Sequence, residues 1–535
     1  MAPRLLFSIN VQECRKTVIG YRLSAILSVG AFLGQLVLPG VLPAQEFRES
    51  QSKVSQFALP NGLRFIVMER HQAPVVSFHT LVSAGSAEDP AGQTGIAHMF
   101  EHLAFKGTES IGTRNWAAEK RALAAAEEVG DRLAAERNKG PKADQGRIAS
   151  LELDLKGAVD AAQAQADPSE FSRAIQENGG VRLNSRTTPD SSETSYSLPS
   201  NRMELWFLLE SQRLTHPVFR DFYRERDAMQ AEYRNNVETR ALPKLQEALL
   251  ATAIEAHPYR NPLLGWPSDA AQLRPADATA FFATYYVPGN IVMGIVGDVD
   301  PANVQRLAER YFGPIPAKPL PPAIRTGEPP QLGPKTVILL ANSANAQPYL
   351  LIAYKRPNET HRDDLAFDVI RTILADRSSG WLYKDLVEEK RIAQGAEAVA
   401  TFPAGRYANL FVFSVAPAQN HTPEENLKAL DAVLARFESK PVDNETLERV
   451  KNTVRGRIAR VMVSNQELAA LLPQYEAVFG DWRRLFATTG ELNRLTGEDL
   501  QRVAAEYFTP ANRTVAYIMN VAQPGTLPAG QRGPQ

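Results

Sequence analysis

With one cysteine in 535 residues, Cys14, this chain can form neither an internal disulfide nor a cysteine-based metal cluster. A bound metal would have to be held by histidine and carboxylate side chains. Charge imbalance is missing too: the formal net charge is -1, and no basic stripe marks a nucleic-acid-binding surface. Long apolar runs are scarce. Outside the first 44 residues none approaches the roughly 20 residues of a membrane-spanning helix. The exception, Leu23 to Leu38, follows Arg15, Lys16 and Arg22, is interrupted by Gly30, Gly34 and Gln35, and is followed by Pro39. A basic flank, a short apolar stretch and a small residue at Ala44 predict a secretory signal peptide over residues 1–44, cut near Ala44–Gln45. The mature protein is then expected to be exported, into the periplasm, and to keep no stable membrane span.

A chain this long exceeds a single core. Residues 54–69 alternate around Pro60-Asn61-Gly62 as a hairpin does, and residues 74–86 form a further strand candidate. Residues 114–166 are rich in Ala, Glu, Lys and Arg, and Ile148, Leu151 and Leu155 recur at helical spacing; they predict a helical hairpin tipped by Gly140-Pro141, a solvated spacer without chemistry. Residues 181–198 read as strand, turn, strand, with helices over 201–215 and 221–237. Eight prolines in residues 314–335 mark an extended linker. On its two sides "TYYVPGNIVMGIVGDV" (284–299) and "EYFTPANRTVAYIMNV" (506–521) correspond at an offset of 222 residues, each after a helical segment. The expected fold class is therefore α+β, with a duplicated domain.

Histidine is sparse, 8 in all, yet two stand four apart in "HMFEHLAFKGT" (98–108). On a helix, positions 98, 101, 102 and 105 share a face, so His98 and His102 can point two imidazoles at one ion, as a zinc site requires. Glu101 projects beside them and can move a proton from a metal-bound water to a leaving amine. A third protein ligand is still needed. Glu225 and Glu232, seven apart in "DFYRERDAMQAEYRNNVE", share a helical face, but their spacing alone does not choose between a ligand and a solvated stripe.

The first of these motifs resembles the signature of the insulinase/pitrilysin zinc metallopeptidases, the inverted zincins with His-x-x-Glu-His order. The likeness continues in "GVRLNSRTT", "ERDAMQAEYRNNVE", "HPYRNPLLG", "YFGPIP" and, beyond the linker, "SGWLYKDLVEEKRIAQGAEA", and covers most of residues 54–520. It implies two homologous domains, each a mixed, mainly antiparallel sheet with helices packed on it. The catalytic one would span residues 45–315 and carry the 114–166 insert. A linker over 316–335, an inactive domain over 336–523 and a tail over 524–535 would follow. It further implies that His98, His102 and Glu232 bind one Zn2+, that Glu101 is the general base, that Glu225 orients or tunes a ligand, and that Asn184 lies on an edge strand holding peptide substrate. The implied activity is that of a zinc endopeptidase acting on peptides or unfolded segments; the alternative is a non-catalytic, peptide-binding subunit of such an enzyme. Two departures stand out. His102 and Glu232 are 130 positions apart, and removing the hairpin restores the separation usual in the family. Arg391 is not followed by the tyrosine that the family's substrate-binding pair uses, and Tyr407 is a weak substitute. A chain of half-clamshell length then implies a second family subunit or a homodimer.

Overall fold

The computed structural model describes residues 49–341, 347–377 and 379–520. The expected signal peptide and the expected tail at 524–535 lie outside the described residues. Two mixed sheets form the framework. The first contains β1 (Val54–Ala58), β2 (Arg64–Glu69), β3 (Val75–Val82), β4 (Val181–Thr187), β5 (Ser192–Pro199) and β6 (Ile291–Gly297), in the order β1-β2-β6-β3-β5-β4. β7 (Lys335–Ala341), β8 (Tyr349–Arg356), β9 (Ala393–Phe402), β10 (Asn409–Pro417) and β11 (Arg513–Asn520) make the second, in the order β7-β11-β8-β10-β9. Among the described strands, only the β2–β6 and β7–β11 pairs are parallel.

The two sheets are one pattern used twice. The last strand of each half enters between the half's parallel partner and its antiparallel one: β6 between β2 and β3, β11 between β7 and β8. Helices Pro275–Tyr285 and Gly497–Tyr507 precede these strands at the same 222-residue offset. β1 is an extra edge in the first half. The hairpin that adds it turns at Asn61-Gly62, where Gly62 takes φ +94° and Asn61 ties the turn to the carbonyls of Phe312 and Ile315.

Six helices matter below: α1 (Ile96–Leu103), α2 (Trp116–Arg137), α3 (Gln145–Ala164), α4 (Phe222–Tyr233), α5 (Ala241–Ala253) and α6 (Asn465–Phe479). One face of the first sheet, with Phe65, Val67, Phe78 and Ile295, packs on helices of its own half through Trp206, Phe207, Leu307 and Phe312. Its opposite face, with Ile66, Met68, Val292 and Val296, is covered from the second half by Leu468, Ala469 and Leu472 of α6. A Cβ at Gly294 would stand 2.0 Å from the Ala469 carbonyl oxygen, so glycine there lets α6 lie against the strand backbone. The reverse also holds. α5, the counterpart of α6, packs Leu245, Leu249 and Ala253 on Leu351, Ala353, Ala516 and Ile518 of the second sheet. Each half thus covers the other's exposed face. Truncating a buried leucine in either seam costs about 2–5 kcal/mol.

α2 and α3 form the expected antiparallel hairpin, its tip a short turn at Gly140–Lys142. It is more than a solvated spacer. Glu119 of α2 is fully buried and accepts from Arg220 Nε at 2.5 Å, while the same guanidinium donates to the carbonyls of Lys106, Thr108 and Ile111. Asp160 of α3 pairs with Arg224, and Gln163 donates to Asp221. The hairpin therefore braces the start of α4 and the loop after α1.

Candidate metal centre

α1 starts after Gly95, whose φ of +93° suits glycine, and is shorter than the 98–108 motif; the chain leaves it at Ala104 and turns at Gly107, φ +95°. Asp89 caps it from a distance. Its carboxyl oxygens accept from the Gly95 and Ala97 amides at 2.7 and 3.0 Å, which satisfies donors that a helix start leaves free, although burial pushes the group up to about 8. The next-turn pair His98 and His102 bring Nε2 atoms to 3.2 Å, with ring centroids 4.8 Å apart. α4 crosses them and sets Glu232 Oε2 3.4 Å from each Nε2.

These three atoms make a nearly equilateral triangle with edges of 3.2 and 3.4 Å. Ligands about 2.0–2.1 Å from a tetrahedral zinc stand about 3.3–3.4 Å from one another. Two imidazole nitrogens at this separation can share at most one proton, so a cation between them relieves facing lone pairs. The donor set fits a zinc ion. Its electrostatics fit as well. Burial opposes charge on His98, but Glu101 and Glu232 outweigh it and hold the imidazole at about 9. The His102 and His98 donors hold Glu232 far below the usual carboxylate range.

His102 is gripped at its other end: Nδ1 lies 3.1 Å from Glu225 Oε2. Glu225 is in turn paired with Lys106. Although burial raises its pKa, the His102 and Lys106 donors bring it below the ordinary value. Glu101 Oε2 accepts from the Thr187 amide at 2.8 Å and stands 3.5 Å from His98 Nδ1, a buried atom without a hydrogen bond. Thr187 ends β4, and its hydroxyl donates to the Ala97 carbonyl, fastening strand to helix. Asn184 is exposed on that strand, opposite Ser195 of β5. β4 pairs with β5 alone among the described strands. Since the Thr187 amide points away from β5, the alternation of a strand turns the Ser185 backbone the same way.

The geometry thus gathers His98, His102, Glu232, Glu101 and Glu225, and sets Asn184 on the neighbouring edge. It does not bring Arg391 or Tyr407 into any described contact with them. Arg391 is exposed, with φ +57°, just before β9, and Tyr407 packs on His257 and Tyr259 with centroids 4.5 and 5.7 Å away. Asp89 escaped the sequence reading because it lies six residues before Gly95, outside the local capping pattern. Thr187 escaped because its contribution is a backbone amide.

Comparison with known proteins follows the same lines. The profile of the insulinase family (peptidase family M16) matches residues 64–134, and that of the peptidase M16 inactive domain matches residues 272–454. Over 491 residues the chain is 24% identical to the zinc protease PqqE of Helicobacter pylori, covering 90% of this chain and 96% of that one. Both halves of the chain thus carry matches to domains of the insulinase family, peptidase family M16. Another relative, the probable mitochondrial-processing peptidase subunit beta of Schizosaccharomyces pombe, is 22% identical over 88% of this chain and 92% of its own. The M16 fold is met again in a crystal structure of a protease from H. pylori, with TM-score 0.73, 22% identity and coverage of 87% and 99%. The periplasmic protease PqqL of Escherichia coli matches with TM-score 0.63 and 15% identity, over 87% of this chain and 47% of that one. Among the described residues no helix is long and apolar enough to cross a membrane.

Proposed function

We propose that this chain is a zinc metalloendopeptidase of the M16 family, hydrolysing peptides or unfolded polypeptide segments. One observation carries the reading: two imidazole nitrogens and a carboxylate oxygen at tetrahedral spacing, with a second carboxylate, Glu101, alongside. The names of its relatives, zinc proteases and a processing-peptidase subunit, agree with it. The inactive-domain match begins at residue 272, beyond all four of these residues, and so leaves the reading intact.

His98, His102 and Glu232 would hold the metal. Zinc supplies Lewis acidity, which polarises a carbonyl and acidifies water. Glu101 takes the proton of the attacking water and returns it to the leaving amine. Glu225 accepts the Nδ1 proton of His102, which fixes the ring's tautomer and directs its Nε2 lone pair inward. The open side of β4, at Ser185, receives substrate as an added strand, and Asn184 contacts it from the same edge. Export to the periplasm, from the predicted signal peptide, and assembly with a second family subunit or a second copy complete the proposal. PqqL, of whose length this chain spans about half, is called a periplasmic protease.

The decisive experiment measures bound zinc and cleavage of an unstructured peptide, with and without chelator, for the wild type and Glu101→Gln. Zinc kept and cleavage lost in the variant is expected. Equal cleavage by the two proteins overturns the assignment of Glu101, and a wild type without zinc overturns the metal.

A further inference from the structure

The second half carries none of the candidate ligands, yet one of its side chains reaches the walls of the site. Arg406, in the loop between β9 and β10, crosses to the first half and makes three kinds of contact there. Its Nη2 donates to the Asp190 carbonyl at 2.5 Å, and its Nη1 to the Ser83 carbonyl at 3.3 Å and to Glu88 Oε1 at 3.2 Å. The backbone joins in: the Gly405 and Arg406 amides both donate to Asp190 Oδ2, at 3.0 and 2.9 Å. The Tyr259 hydroxyl donates to the other carboxylate oxygen of Asp190.

Two of these partners, Asp190 and Glu88, lead on to the site. Asp190 occupies the turn between β4 and β5, held by Thr188 and Ser191, and β4 ends at Thr187, whose amide donates to Glu101. Glu88 adjoins Asp89, which caps α1 through the Gly95 and Ala97 amides. The two walls also touch: the Ser86 and Ala87 amides donate to the Thr188 and Pro189 carbonyls, and a Cβ at Gly85 would collide with the Thr188 carbonyl at 2.1 Å. A single guanidinium thus ties the edge strand and the cap of the metal-binding helix to the second sheet.

We infer that Arg406 is a positioning residue, through which the inactive half sets α1 and the open edge of β4 in register for strand-like peptide substrates. The kinetic arm of its test rests on the peptidase reading; the exchange arm does not.

The experiment compares full-length wild type, Arg406→Ala and Arg64→Ala. Arg64 makes another ion pair between the halves, with Glu476 at 3.2 Å, on β2, next to the sheet edge opposite β4. Amide hydrogen exchange is followed in residues 95–103 and 181–199, alongside zinc content and kcat and KM for an unstructured peptide. Arg406→Ala is expected to keep zinc, to speed exchange in both segments and to lower kcat/KM about tenfold or more. Guanidinium at millimolar concentration should restore part of this, whereas Arg64→Ala leaves both readouts near wild type. Unchanged exchange in both segments overturns the inference, as does an equal change in Arg64→Ala. An inactive wild type that binds zinc overturns the peptidase reading alone, and exchange then decides on Arg406.

Discussion

Glu225 Oε2 and His102 Nδ1 stand 3.1 Å apart, on the far side of the imidazole from His98 and Glu232. The contact makes the ring's second nitrogen a committed lone pair, and Lys106 keeps the carboxylate charged. Glu225→Gln should therefore weaken zinc about 10–100-fold, measured by competition with a chelating dye, without emptying the site at saturating metal. An unchanged affinity would make the contact incidental.

Glu101 lies beside the triangle without completing it. Glu101→Gln is expected to retain zinc by elemental analysis and to lose cleavage by about 10²–10⁴-fold. His98→Ala and Glu232→Ala should instead lose metal, because each removes a corner. Full occupancy in either would strike that residue from the ligand set.

The Glu119–Arg220 pair is buried at both ends. Glu119→Ala leaves a guanidinium without its counter-charge, which costs about 3–5 kcal/mol. Denaturant unfolding of the metal-free protein should show this loss. Removing the whole of residues 114–166 should be still more damaging, since Arg220, Asp221 and Arg224 all lose partners. A deletion variant as stable as wild type would restore the view of the hairpin as a spacer.

Burial lifts the Glu88 carboxyl to about 7, despite Arg406 and the Gly85 amide. A folded-state value above the ordinary 4.5 means that the folded protein binds the extra proton. The stabilisation is complete below about pH 4.5 and is lost as pH rises through 7, amounting to about 3 kcal/mol. Thermal unfolding should show wild type losing ground to Glu88→Gln between pH 5 and 8. Parallel curves for the two proteins would contradict it.

Local pattern made much of this molecule legible. The hairpin at 54–69, the strands at 181–198, the helical insert and the duplication all rest on periodicity or turn residues, which neighbouring residues determine. His98, Glu101 and His102 were visible because one helical face gathers them. Glu232 and Glu225 had no local signal; their place comes from the crossing of α4 over α1, and only the family resemblance pointed to them. The bracing of α4 by Glu119 and the reach of Arg406 depend on pairings more than 100 residues apart in sequence. Charge-rich helices read as solvent-facing until a partner for the buried charge is seen.

The crossed placement of α5 and α6 bears on how this polypeptide can be divided. A nick in the proline-rich connection would yield two fragments, neither holding the lid of its own sheet. Such fragments should be insoluble apart and regain structure when mixed, so the tether speeds their meeting while the interlocked helices make them interdependent.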